Sequence, residues 1–300
     1  MNYSLNSTVT LNNGVKMPQL GLGVWKVNNA GASQSVQWAI KHGYRAIDTA
    51  KQYGNEAGVG DGLTKALAEN SLNREDIFLT TKIFNGDQGY QSTLDNFENQ
   101  LKQLQTNYVD MLLIHWPVDG SYIDTWKALE KIYRDGKARA IGVSNFNVSK
   151  LEDIMSISSI KPVVDQMEFN PVCQDEDIKE FCDKNNIHLE AWSPLGGGRV
   201  LKDERLQKLA DKYNKSVAQI ILRWDLQRGV ITIPKSVHEE RIVQNADIFD
   251  FELSDDDVAE INGYDNDDRS LWYGGFFWHG NPTGYKDGVE EWDDTKDFVK

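Results

Sequence analysis

Three hundred residues allow two domains by length alone, although a single α/β barrel also reaches this size. Lys and Arg total 32 against 46 Asp and Glu, giving a formal net charge of −14 and a pI near 4.8. Such a surface repels phosphate backbones and anionic membranes, which argues against nucleic acid or a membrane as partner. Residues 1–14 are polar, without the apolar stretch of a secretory leader, and no apolar run is long enough to cross a bilayer. Cys173 and Cys182 lack the dense spacing of a secreted disulfide scaffold, so reduced thiols and a cytoplasmic setting are expected. A monomer needs no extra assumption.

In chain order, residues 8–11 turn at Asn12-Asn13-Gly14 into residues 15–17, a predicted hairpin that would cap the domain. Strand-like runs follow at 20–23, 46–48, 77–82, 109–115, 138–144, 163–168, 188–192 and 230–233. Amphipathic stretches predict helices near 33–43, 55–69, 91–105, 121–135, 147–157, 175–186, 216–228 and 239–247. This unbroken alternation predicts one domain over residues 1–300, and eight units suit a closed (β/α)8 TIM barrel better than an open doubly wound sheet. Asp175 opens an acidic helix start, and Ser254 before Asp255, Asp256 and Asp257 predicts a short helix to Ile261. Beyond Gly263 the pattern degrades, so residues 265–300 read as an irregular carboxyl-terminal extension. Its aromatic cluster, Trp272, Tyr273, Phe276, Phe277 and Trp278, stands equally as packing against the barrel and as a substrate lid.

Active sites of parallel barrels lie where strands end and βα loops begin. Asp48 closes the second predicted strand with Tyr53 five residues later, Lys82 closes the third and His115 the fourth. Singly, each has an ordinary reading as a cap, a packed ring or a solvated charge. Together they suit protonation of a carbonyl oxygen while an electron pair reaches its carbon. Tyr53 is then the general acid, with the Lys82 ammonium stabilising its phenolate and lowering its pKa. Asp48 would hold Lys82 charged, and His115 would donate a hydrogen bond that orients the carbonyl. The five His residues show no short metal-ligand spacing, so no metal is expected.

The electron pair implies a hydride donor, yet Gly21-Leu22-Gly23-Val24-Trp25-Lys26 ends in Lys where the dinucleotide fingerprint needs Gly. Lys235, Ser236 and Arg241, around a predicted helix start, form a candidate anion site, with a surface helix carrying ordinary ion pairs as the alternative.

Three segments stand out as signature-like. The first runs from Gly43 to Ala50 with Tyr53-Gly54-Asn55-Glu56 and Gly60. The second is Ile141-Gly142-Val143-Ser144-Asn145-Phe146, and the third Ile233-Pro234-Lys235-Ser236 with Arg241, Gln244 and Asn245. These segments resemble signatures of the aldo-keto reductase superfamily, and of its bacterial aldehyde and diketogluconate reductases in particular, and the likeness runs from about Val9 to Leu253. It implies a TIM barrel that reduces aldehydes or ketones with NADPH, bound extended and without a Rossmann fold. It also implies Tyr53 as proton donor, Lys82 and Asp48 as its tuning pair and His115 as the orienting residue. Ser144, Asn145 and Gln166 would hold the nicotinamide carboxamide, with Trp192, in place of the Tyr of many relatives, stacked on the ring. Ser193 and Leu195 would contact the pyrophosphate, Lys235, Ser236 and Arg241 the 2′-phosphate, and Gln244 and Asn245 the adenine. Trp25 and Trp116 are expected as pocket walls. A cofactor-binding redox sensor or interaction subunit on the same barrel, or a barrel isomerase or hydrolase, are the competing readings.

Overall fold

The computed structural model describes residues 4–269. Strands β1 (Thr8–Thr10) and β2 (Lys16–Pro18) pair antiparallel with Val9 opposite Met17. Eight further strands, β3 (Leu22–Gly23), β4 (Ala46–Asp48), β5 (Phe78–Ile83), β6 (Val109–Ile114), β7 (Ala138–Ser144), β8 (Val164–Glu168), β9 (His188–Trp192) and β10 (Ile231–Thr232), pair in parallel in chain order. Leu20 bridges Thr232 and Gly23 bridges Lys235, and Gly21 N donates to Thr232 O at 3.0 Å, so the last strand meets the first and the sheet closes. The eight-stranded barrel expected from the alternation is therefore present, and the strand bounds differ from expectation by a residue or two.

Because side chains alternate along a strand, one parity of each strand fills the barrel and the other meets the helices. Ala46, Phe78, Met111, Leu113, Ala140, Val164 and Ile231 form the inner cluster, and Leu11 and Met17 of the hairpin close its amino-terminal end. Continuing the same parity toward the carboxyl ends gives Asp48, Lys82, His115, Ser144, Gln166, Glu190 and Trp192. The lower interior is thus apolar and its rim polar, which positions the site.

Around the barrel lie α1 (Asn29–Lys41), α2 (Glu56–Asn70), α3 (Tyr90–Gln103), α4 (Tyr122–Arg134), α5 (Val148–Ile157), α6 (Glu176–Asn185), α7 (Glu204–Tyr213), α8 (Val217–Gln227), α9 (Glu239–Ala246) and α10 (Asp255–Asn262). Helix α1 begins four residues before the predicted 33: Asn28 Oδ1 accepts from Gly31 N at 2.8 Å and caps a first turn of small residues that carries little apolar signal. Helix α7 has no counterpart in the predicted set, because the connection from β9 to β10 holds two helices, and its apolar stripe is only Leu206, Leu209 and Ala210. The α2 glycines permit close packing: a Cβ at Gly58 would lie 2.2 Å from Asn29 O, and one at Gly62 2.5 Å from Ser33 O. Among the described residues no helix is long and apolar enough to cross a membrane.

Residues 265–269 carry no regular structure but are tied down. Asn266 N and Asp268 N donate to Val172 O, and Arg269 grips Asp175 through both terminal nitrogens at 2.8 and 2.5 Å. The expectations for Trp272, Tyr273, Phe276, Phe277 and Trp278 lie outside the described residues.

Candidate active site

Asp48 ends β4, and the chain then turns through a short 3-10 segment, Lys51–Tyr53, closed by Gly54 at φ 65°. Asn55 pins this loop: its Nδ2 donates to Val24 O and Val27 O at 2.8 and 2.7 Å, and its Oδ1 accepts from Thr49 Oγ1 at 2.8 Å. Lys82, whose side chain is 0% exposed, comes from the penultimate position of β5. Its ammonium donates to Asp48 Oδ1 at 2.6 Å, Thr49 O at 3.0 Å and Tyr53 Oη at 3.2 Å. An ammonium has three hydrogens and no acceptor. All three are committed, so at Tyr53 the lysine donates and the phenol keeps its own hydrogen for another acceptor.

Burial alone would push the Lys82 ammonium down, but Asp48 and Tyr53 outweigh it and hold it above the ordinary lysine value. For Tyr53 the balance goes the other way: burial is the largest influence and raises the phenol to about 12, against the lowering effect of Lys82. The expectation of a lowered phenol is corrected in its net direction, although Lys82 acts with the expected sign. The phenol is consequently protonated at neutral pH.

His115 follows β6 and continues its ladder, with its N–H donating to Ile83 O at 3.2 Å. Its ring meets Tyr53 edge-on with centroids 5.7 Å apart. Burial, and then the charge of Lys82, push the imidazole well below its usual 6.5, so it is neutral at pH 7. Among the described residues its buried Nδ1 has no hydrogen-bond partner.

Next to it, Ser144 Oγ donates to Gln166 O at 2.8 Å, and Asn145, at φ 65°, donates from Nδ2 to His115 O and Ser144 Oγ, each at 3.0 Å. Trp192 Nε1 donates to Asn145 Oδ1 at 2.8 Å. The Gln166 amide turns inward, donating to Asp48 Oδ2 at 2.9 Å and Glu190 Oε2 at 2.8 Å. Asp48, Tyr53, Lys82, His115, Ser144, Asn145, Gln166 and Trp192 are thus brought into one connected network. Glu190 belongs to it and is absent from the sequence-derived set. The available signal was a carboxylate two residues before Trp192 on the same strand parity.

The remaining candidates sit on the neighbouring loops that follow β3, β6, β9 and β10 and on helix α9. Ser193, at φ 48°, and half-buried Leu195 follow β9. Lys235 follows β10, and Ser236 Oγ accepts from His238 N at 3.1 Å just before α9. Arg241 and Gln244 are exposed on α9, whereas Asn245 is buried. Half-buried Trp25 follows β3 with Lys26 Nζ 4.5 Å from its ring centroid, and buried Trp116 follows His115, its carbonyl accepting from Gln88 Nε2 at 2.6 Å.

The chain as a whole is similar to known proteins. Residues 17–266 match the Aldo/keto reductase family. The chain is 54% identical over 270 residues to the glyoxal reductase of Bacillus subtilis, covering 90% of this chain and 96% of that one. It is 46% identical over 273 residues to the 9,11-endoperoxide prostaglandin H2 reductase of Trypanosoma cruzi, covering 90% and 95%. The crystal structure of a Bombyx mori aldo-keto reductase in complex with NADP superposes with a TM-score of 0.88 at 34% identity, covering 94% of this chain and 100% of that one. With such coverage of sequence and fold, the chain belongs to the Aldo/keto reductase family and is an NAD(P)H-dependent oxidoreductase that reduces carbonyl groups to alcohols.

Proposed function

We propose that the enzyme reduces small aldehydes, glyoxal among them, with NADPH as the preferred donor and Tyr53 as the proton source. The observation that carries this reading is the full commitment of Lys82: its third hydrogen points at the Tyr53 oxygen, so the phenolic hydrogen is left to the substrate. As proton transfer proceeds, negative charge grows on that oxygen beside a fixed ammonium, which favours the transition state over the ground state. Asp48 keeps the ammonium charged and aimed, and neutral His115 orients the carbonyl oxygen toward Tyr53.

The rim residues fit a nicotinamide nucleotide. Trp192 offers a half-exposed flat face fixed through its own N–H, Ser144 and Asn145 offer polar groups beside it, and His115 Nδ1, on the same rim, is buried without a hydrogen-bond partner among the described residues. When bound, the nicotinamide supplies the hydride. Lys235, Ser236 and Arg241 supply a local positive site on a chain of net charge −14, which suits the additional phosphate of NADPH. Glyoxal as substrate is inferred from the Bacillus subtilis relative, the buried thiols of Cys173 and Cys182 suit the cytoplasm, and the reading needs no second subunit. The unbroken link from Asp48 through Lys82 to Tyr53 speaks for turnover rather than a sensor.

Tyr53→Phe tests the assignment: it removes one oxygen and should lower glyoxal reduction by about a hundredfold or more while NADPH still binds. A variant with parental turnover removes Tyr53 from the mechanism. For the nucleotide, Lys235→Ala with Arg241→Ala should weaken NADPH far more than NADH, and equal losses would count against the phosphate assignment.

A further inference from the structure

Glu190 lies midway along β9, in register with Gln166 of β8 and Ile231 of β10, and is 1% exposed. A buried carboxyl group is disfavoured unless paired or hydrogen-bonded. Among the described residues Glu190 makes no ion pair. Its link is the Gln166 amide, which gives one hydrogen to Glu190 Oε2 and the other to Asp48 Oδ2. Asp48 Oδ1 in turn holds Lys82, which holds Tyr53. Two carboxyl groups thus share one amide in the barrel interior, with the ammonium bonded to Asp48 and not to Glu190, and both can be ionised there only against their mutual repulsion.

We propose that Glu190 is a positioning residue for proton donation by Tyr53: its neutral form anchors the Gln166 amide that steadies Asp48 against Lys82, and its ionisation slows the transfer. This rests on the Tyr53 assignment above. Burial first, and the charge of Asp48 second, push Glu190 up to about 8, so the neutral form prevails at pH 7. The groups that bear on it are Asp48 from β4, Tyr53 from the following loop, Lys82 from β5 and the neutral Gln166 from β8, while β10 contributes apolar Ile231. Once ionised, Glu190 adds a second negative charge near the ammonium and raises the proton affinity of Tyr53. The phenol then becomes a weaker acid in the direction of carbonyl reduction.

Glu190→Gln keeps the shape and an acceptor oxygen but cannot ionise. In the parent enzyme kcat for aldehyde reduction should fall with rising pH through an apparent pKa of about 8, and this limb should vanish in the variant. Glu190→Ala, which leaves the Gln166 amide unanchored, should lower kcat at pH 7 by roughly ten- to a hundredfold, the scale of a misplaced catalytic group. A second readout needs neither turnover nor cofactor: difference infrared spectra of the parent should show a buried carboxylic-acid carbonyl band that disappears through the same midpoint, and Glu190→Gln should lack it. An unchanged alkaline limb in Glu190→Gln, or no such titrating band in the parent, overturns the proposal. Tyr53→Phe measured alongside separates the two readings. If it stays active the Tyr53 assignment fails, and if it is inactive while the Glu190 results are negative, only the role of Glu190 fails.

Discussion

The indole N–H of Trp192 donates to Asn145 Oδ1 at 2.8 Å, joining the residue assigned to the nicotinamide face with one assigned to its carboxamide. A tyrosine ring has no N–H to place there, so tryptophan alters more than the area of the flat face. Asn145 sits at φ 65°, and its Nδ2 is already committed to His115 O and Ser144 Oγ. Trp192 therefore completes the hold on that amide. Trp192→Phe keeps an aromatic face and removes the donor. A lost hydrogen bond of about 0.5–1.5 kcal/mol corresponds to NADPH binding weakened by roughly two- to tenfold. Fluorescence titration of NADPH checks this, and unchanged affinity would separate the indole N–H from cofactor binding.

Asp48 and Lys82 form an ion pair whose side chains are 4% and 0% exposed. Removing one partner of such a pair leaves an uncompensated buried charge, at a cost of about 3–5 kcal/mol, whereas replacing both by apolar groups can be nearly neutral. Asp48→Asn and Lys82→Met are each expected to lower the midpoint of urea unfolding sharply. The double variant should regain much of the loss in stability while remaining without turnover. A double variant as unstable as the sum of the two singles would show that the pair does not act as a unit.

The grouping of the proposed catalytic residues was legible in the sequence because barrel geometry turns strand-end position into spatial proximity. Asp48, Lys82 and His115 lie far apart in the chain, yet parallel pairing of β4, β5 and β6 sets their strand ends side by side on one rim. What escaped depended on three-dimensional surroundings. Glu190 reads as one charge within His188–Trp192, and only closure sets it across the interior from Asp48 through Gln166. The net direction of the Tyr53 shift likewise could not be read from a neighbouring lysine, because the depth of burial decides it. Helix α7 was missed because a rule of one helix per strand leaves no place for it.

His115 should remain neutral throughout the range in which a free histidine titrates. Its folded-state pKa lies well below the 6.5 of the unfolded chain, so protonation favours unfolding. The stability associated with its neutral form is present above about pH 6.5 and is lost as the pH falls toward the folded-state value. Two-dimensional NMR of the histidine rings should find His115 uncharged at pH 6. His115→Gln, which has no such proton to gain, should lose less of its unfolding midpoint between pH 7 and pH 5 than the parent. A ring titrating near 6.5 would contradict the neutral orienting role.

Tyr53 depends on packing as well as on charge, since α2 begins three residues after it at Glu56. That helix lies against α1 through Gly58 and Gly62, which face Asn29 and Ser33 at matching four-residue spacing. An alanine Cβ at Gly58 would come within 2.2 Å of Asn29 O and 2.6 Å of Asn29 Cα, both backbone atoms that no side-chain rotation can clear. Alanine would gain about 1 kcal/mol of helix propensity over glycine, but the clash can be relieved only by moving one helix away from the other, and overpacking of this kind costs about 1–3 kcal/mol or more. Gly58→Ala is therefore expected to destabilise the protein, because the backbone contact is closer than any packed structure tolerates. Displacement of α2 should also shift the Tyr53 loop, lowering kcat at temperatures where the variant is still fully folded by circular dichroism. A stabilised variant with parental kcat would show that propensity outweighs contact here and that α2 does not set the position of the phenol.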